Sequence, residues 1–212
     1  MRRFSPLFAV LFAVATAGLA HASVVVTLDG YPAGITDGTN FVGPATLTVA
    51  GVEYSAVCYD ALDQASINET WNANVYGMVD LSAGAYFINQ SNYTTKYEQV
   101  SYLSTLFSPA NEAQWVDIQH TLWSVFDPGG YMADPTLIAA ANLAISTGYD
   151  FSPFRYIDSP PGSNPLVQGF IVDNPNIGLT PGPEPGTWFL MCSGVLLMAA
   201  WNLRRRAAAR KV

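Results

Sequence analysis

Positive charge is nearly missing from the interior of this 212-residue chain. Seven of its nine basic residues, Arg2, Arg3, Arg204, Arg205, Arg206, Arg210 and Lys211, stand at the two ends, which leaves only Lys96 and Arg155 between them. Residues 23–182 carry 15 acidic side chains, every Asp and Glu except Glu184, for a formal balance of −13. Phosphate recognition needs a basic surface, so nucleic acid is excluded as a partner of this region. Catalytic signatures are missing too. The chain has no Gly-x-Ser-x-Gly elbow, no His-Glu-x-x-His helix and no phosphate-cradling glycine loop, so no motif supports a serine-elbow hydrolase, a zinc peptidase or a nucleotide-binding loop. Asp60, Asp63 and Glu69 lack the regular spacing of a calcium loop, and no motif calls for a metal or a cofactor. What the chain does have is apolar: 50% of it is hydrophobic against 12% charged. The middle region is rich in Val, Ile, Leu, Phe, Tyr and Trp, enough to bury a core, which argues against disorder.

The two ends read as addresses. Met1-Arg2-Arg3, the apolar run Leu7–Ala15 and the small-x-small step Ala20-His21-Ala22 predict a secretory signal peptide over 1–22. Near the other end, Thr187–Leu203 is an uncharged, mostly apolar stretch of 17 residues, at the short limit of a membrane-spanning helix of about 17–25 residues. Trp188 and Trp201 flank it at interfacial positions, and Arg204-Arg205-Arg206 would hold its far end in the cytoplasm, leaving the body outside the inner membrane. Just before the span stands Pro183-Glu184-Pro185-Gly186. Pro-Glu-Pro, a short apolar helix and an Arg cluster, in that order over the last 30 or so residues, resemble the PEP-CTERM sorting signal of Gram-negative exported proteins. The resemblance implies an exosortase-type processing enzyme as a partner, a transient or retained stay in the inner membrane, and delivery to the cell surface or an exopolysaccharide matrix.

The body between the addresses changes period along its length. Val24–Leu28, Ala45–Val49 and Val52–Tyr59 are β-branched and aromatic runs that predict strands, with a hairpin at Ala50-Gly51. Val75–Ile88 is short and broken by glycine, and reads as strand and loop. Tyr97, Val100, Leu103, Leu106 and Phe107 then fall at helical spacing within Thr94–Phe107. Ser108-Pro109 opens a second helix to about Phe126, and Asp134-Pro135 opens a third through Ile145, closed by Gly148. Phe154–Ile157 and Val167–Val172 predict returning strands. Strands, helices and strands in that order give an α+β fold, a β-rich sandwich or barrel-like body over 23–173 with a block of three helices inserted, followed by a linker over 174–182 and the sorting segment over 183–212.

Two residues in the body ask for an explanation. With Cys192 inside the apolar terminal segment, Cys58 is unpaired, and a lone thiol in an exported domain is either an inert packing residue or a reactive one. Gln119 lies in the middle of the apolar stripe drawn by Trp115, Ile118, Leu122, Trp123 and Phe126. A buried primary amide must find hydrogen-bond partners or lose roughly 1–3 kcal/mol for each group left unmade. Backbone partners are one solution. The other is that the Cys58 sulfur attacks the amide carbonyl, expels ammonia and leaves a thioester.

Val57-Cys58-Tyr59-Asp60 at a strand end, with Ile118-Gln119-His120-Thr121-Leu122-Trp123 about 60 positions later, resembles the thioester domain of bacterial surface adhesins. That family joins an aromatic-flanked Cys to a Gln-x-x-aliphatic-Trp segment, and the resemblance implies an internal Cys58–Gln119 thioester able to acylate an amine on a surface protein. Here Val57 replaces the usual aromatic and His120-Thr121 a smaller apolar pair. Such chemistry needs a dry wall, which Tyr59 and Trp123 could form, and a proton-handling group, for which Asp60 is the nearest candidate. His120, about 100° round the helix from Gln119, reads as a surface group. The sequence thus points to an exported surface or matrix protein, not an enzyme, with a single-use thioester. The alternatives are a non-covalent structural or carbohydrate-associated module, in which Trp71 and Trp115 could stack on sugars, and a hydrolase built on Cys58 and His120.

Overall fold

The computed structural model describes residues 23–177 except 161, 164 and 165. The expected signal segment, Pro183-Glu184-Pro185, the apolar span with Cys192, and Arg204, Arg205 and Arg206 lie outside the described residues. Among the described residues no helix is long and apolar enough to cross a membrane.

Six antiparallel strands close into a barrel. β1 (Val24–Gly30), β2 (Pro44–Val49), β3 (Val52–Cys58), β4 (Thr70–Gly77), β5 (Phe154–Asp158) and β6 (Phe170–Asp173) follow one another in the chain. Around the barrel the order is β1-β2-β3-β6-β5-β4, closed by β4 on β1. Of the two architectures the sequence allows, it is therefore the barrel that forms. Alternation sets its interior along β2, where Ala45, Leu47 and Val49 are buried and Pro44, Thr46 and Thr48 only half-buried. The Ala50-Gly51 step is the predicted hairpin. Both residues have positive φ, 51° and 84°, as a two-residue turn between right-twisted strands requires, and Val49 pairs with Val52 across it.

The helices are inserted between β4 and β5. α1 (Tyr93–Ser104) packs against α2 (Trp115–Ser124) and α3 (Pro135–Ser146). In β5 and β6, Tyr156-Ile157-Asp158 and Phe170-Ile171-Val172 are buried in consecutive runs, so both faces of these strands are covered. The Tyr156 hydroxyl meets Ser101 of α1 at 2.6 Å. Ser108 and Asp134 work as the expected caps: Ser108 accepts from Ala110 N–H while Asn111 returns a bond to Ser108 N–H, and Asp134 accepts from Thr136 N–H at 2.7 Å. Lys96, the only lysine in the body, reaches the Gln90 side chain and lies 5.8 Å over the Phe126 ring.

Four boundaries differ from the sequence reading. β4 already begins at Thr70 and gives way to a 3-10 turn over Met78–Ala83. The helix expected over 109–126 is a 3-10 turn, Pro109–Gln114, that leads into α2 through non-helical Asn111. β6 starts at Phe170 rather than Val167, whose N–H and carbonyl both bond Ser159 Oγ instead of a neighbouring strand, and Gly169 runs so close to the Tyr59 ring that a Cβ there would lie 2.8 Å from its Cζ. The linker begins later than Asn174: Ile177 is buried, and its N–H returns to the Asn174 carbonyl.

The Asp134 cap gives a direct test of this reading of the helix block. Asp134→Ala is expected to lower the stability of the body by about 1 kcal/mol, read as a lower urea midpoint with an unchanged slope.

Candidate functional site: a cysteine and a glutamine brought together

Cys58 ends β3 and Gln119 sits in the second turn of α2, 61 residues apart, and the fold places them in contact. Gln119 is fully buried and Cys58 is 2% exposed. The Gln119 amide is held at both ends: its Nε2 donates to the Cys58 carbonyl at 2.7 Å, and its Oε1 accepts from the Gly43 N–H at 3.1 Å. Gly43 holds its place by being glycine. Its φ is +88°, and a Cβ there would lie 2.4 Å from Cε3 of Trp115, so no other residue brings the backbone so close to α2.

The sulfur has its own set of partners. Trp123 Nε1–H donates to Cys58 Sγ at 3.3 Å, and the thiol donates to the Asp60 carbonyl at 2.9 Å. Gln168 Nε2 donates to the same carbonyl at 2.8 Å. Burial, followed by the Asp60 charge, pushes the thiol well above its ordinary range, although the Trp123 N–H pulls the other way. The resting group is therefore a thiol.

Asp60 is 2% exposed, and burial, with a further contribution from the Asp63 charge, raises its carboxyl to about 7 against the opposing Leu62 N–H. At neutral pH such a group both gives and takes a proton. Close by lies a second buried carboxylate that sequence reasoning missed. Asp158, at the end of β5, accepts from the Tyr59 hydroxyl and from Tyr86 N–H, and burial outweighs both bonds to raise it to about 6.

Tyr59 does not join Trp123 as a wall. Its ring turns to Phe87, Tyr97, Phe126 and Tyr156, with centroids 5.7–6.1 Å away. His120 lies at the surface, as expected, with its side chain 30% exposed: Nε2 meets Asp37 Oδ2 at 2.9 Å, and the ring packs against Trp123 and Tyr131. Thr121 bonds the Asp117 carbonyl and receives the Asp134 N–H. The polar pair His120-Thr121 thus ties α2 to its neighbours. Trp115 is buried, its Nε1–H bonded to the Ser108 carbonyl, and so offers no free face to a sugar, while Trp71 is half-buried against Phe170. Among the described residues no group of three or more His, Cys, Asp or Glu is arranged to hold a metal ion.

A cleft of about 240 Å³ opens beside Trp123, between Thr39 and Asn40 on one side and Gln64 and Gln168 on the other. A second, of about 210 Å³, shares those four residues and adjoins Tyr31 and Phe41. Of the residues that complete the site, Gly43 precedes a strand-opening proline and reads only as a turn, Gln168 lies in what looked like a strand, and Asp158 carries no local signal.

No protein family, curated protein or solved structure matches the chain.

The two buried carboxyls make stability fall as pH rises. Both titrate above the ordinary carboxylate value of about 4, so between about pH 4 and pH 7 the folded body holds protons that the unfolded chain has released. The stabilisation is complete below pH 4 and is lost as pH climbs through about 6 and 7. A urea midpoint higher at pH 5 than at pH 8, with a shallower dependence in Asp60→Asn, is the expected result.

Proposed function

We propose that the body forms a single-use internal thioester between Cys58 and Gln119 and that it attaches covalently to an amine at the cell surface or in an extracellular matrix. The observation that carries this reading is the seating of the Gln119 amide: its oxygen lies on the Gly43 N–H, its nitrogen on the Cys58 carbonyl, and the Cys58 thiol belongs to the same buried cluster. As Sγ bonds to the amide carbon, negative charge develops on Oε1, where the Gly43 N–H already points. The bond from that carbon to Nε2 then breaks. The thiol proton leaves with the nitrogen as ammonia, and Asp60 is the group able to carry it. Proximity supplies what thiolate character does not, since both reactants are fixed within one fold. In the second step an amine takes the acyl group from sulfur, its nitrogen bonding to the former amide carbon as the sulfur bond breaks, and the Cys58 thiol is regenerated. The adjoining clefts beside Trp123 give that amine a route.

Delivery rests on the sequence: the signal segment, Pro183-Glu184-Pro185 and the Arg204-Arg205-Arg206 stop support export and exosortase-type processing toward the surface or an exopolysaccharide matrix. A second reading has its own support. The amide and thiol already satisfy each other's surroundings by hydrogen bonds, so the same body works as a non-covalent matrix module with Cys58 and Gln119 as packing residues.

Intact mass separates the two. The secreted body is expected to be one ammonia lighter than its sequence, to gain one methylamine on treatment, and to do neither as Cys58→Ala. A full mass with one free thiol would leave the matrix-module reading.

A further inference from the structure

The segment between β1 and β2, residues 31–43, crosses α2 as a strap fastened at two adjacent helix positions. At its base Gly43 N–H holds Gln119. At its tip Asp37 Oδ2 meets His120 Nε2. Between them the strap is an ordered small hairpin, not a loose loop: Thr36 bridges Phe41, Val42 N–H returns to the Ile35 carbonyl, and the Tyr31 and Phe41 rings stack 4.9 Å apart.

Asp37 divides its two oxygens between two tasks. Oδ1 accepts from Thr39 N–H at 2.8 Å and Asn40 N–H at 2.7 Å, closing the turn, while Oδ2 reaches across to His120. Burial works against this carboxylate, yet the Asn40 N–H, the His120 ring and the Thr39 N–H outweigh it and hold it at about 2. It is therefore ionised throughout the neutral range. His120 in turn packs on Trp123, the residue whose indole touches the sulfur, and on Tyr131. The strap's Thr39 and Asn40 form one side of both clefts. Its position accordingly fixes two things at once: the donor on the Gln119 oxygen and the width of the cleft beside Trp123, whose indole touches the sulfur.

We propose that Asp37 and His120 are positioning residues for the Cys58–Gln119 site, a latch that keeps the 31–43 strap closed over it. The latch touches no reacting atom. It acts by keeping the Gly43 N–H on Gln119 and by excluding water and nucleophiles from Cys58 except when the strap opens. The inference rests on the thioester reading for its chemistry, but its geometry holds for a free thiol as well.

The test uses the secreted body with its natural residues, His120→Ala, His120→Gln and Asp37→Asn. Intact mass first establishes whether the parent has lost ammonia. If it has, the readout is the rate of methylamine addition; if it has not, the thioester reading fails and the readout becomes the rate of Cys58 alkylation by iodoacetamide in the native state. Either reaction follows the population of the opened strap. With one charge-assisted bond removed, His120→Ala is expected to react about tenfold faster than the parent. His120→Gln, which keeps an N–H donor facing Asp37, is expected to return most of the way. Asp37→Asn keeps an oxygen for the turn and tests the latch from the other side if His120→Ala does not fold. Melting temperatures of the variants close to the parent's accompany the expected outcome. Unchanged rates in both His120→Ala and Asp37→Asn would overturn the latch, as would acceleration in His120→Gln equal to that in His120→Ala, which would reduce His120 to packing.

Discussion

A primary amide buried where α2 meets the ends of β2 and β3 constrains everything around it. Left without partners in that position, Gln119 would cost the fold several kcal/mol. The structure meets this need with backbone groups from two different strand ends, the carbonyl of Cys58 and the N–H of Gly43. Those bonds fix the depth and rotation of α2 against the barrel. Through α2 they also fix Trp123 on the sulfur and Thr121 on the start of α3. The glycine at position 43, its positive φ and the Trp115 ring packed against its Cα are what allow the backbone to approach closely enough.

Around this contact lies an unusual distribution of polarity. A body short of basic residues has no guanidinium or ammonium to place against its interior carboxyls, so Asp60 and Asp158 are satisfied by neutral donors instead: Leu62 N–H, Tyr86 N–H and the Tyr59 hydroxyl. Neutral donors offset desolvation only in part, which is why both carboxyls titrate above the ordinary carboxylate range. Arg155 does not relieve them, since its guanidinium is occupied with the carbonyls of Ser152 and Phe154. Carboxyls that exchange protons near neutrality are thus a by-product of composition.

Much of this was legible in the sequence. Alternation and β-branched runs marked five of the six strands, helical spacing with Ser108, Asp134 and Gly148 marked the helix block, and the order of the two gave the α+β class. Gln119 was conspicuous because a polar residue interrupted an apolar stripe, and Cys58 because it had no partner. What stayed hidden depends on the third dimension. Trp71-Asn72-Ala73 in β4 carry too little β-branched character to announce a strand, and become one by pairing with Val24–Val26. Tyr59 neighbours Cys58 in sequence, yet its side chain leaves for the helices, because consecutive residues of an extended chain point to opposite sides. Gly43, Asp37 and Gln168 reach the site from loops, where no periodicity marks a residue's direction.

The barrel joins distant parts of the chain: β3, paired along one edge with β2, meets β6 on the other through Val57–Ile171 and Cys58–Phe170. Pairings of such sequence separation form late, after the loop-closure entropy has been met. Until then the Cys58 thiol and the Gln119 amide are two separate side chains in water, with neither the Gly43 N–H nor the dry surroundings that the closed barrel gives them. The contact between them is therefore a property of the closed barrel rather than of either segment.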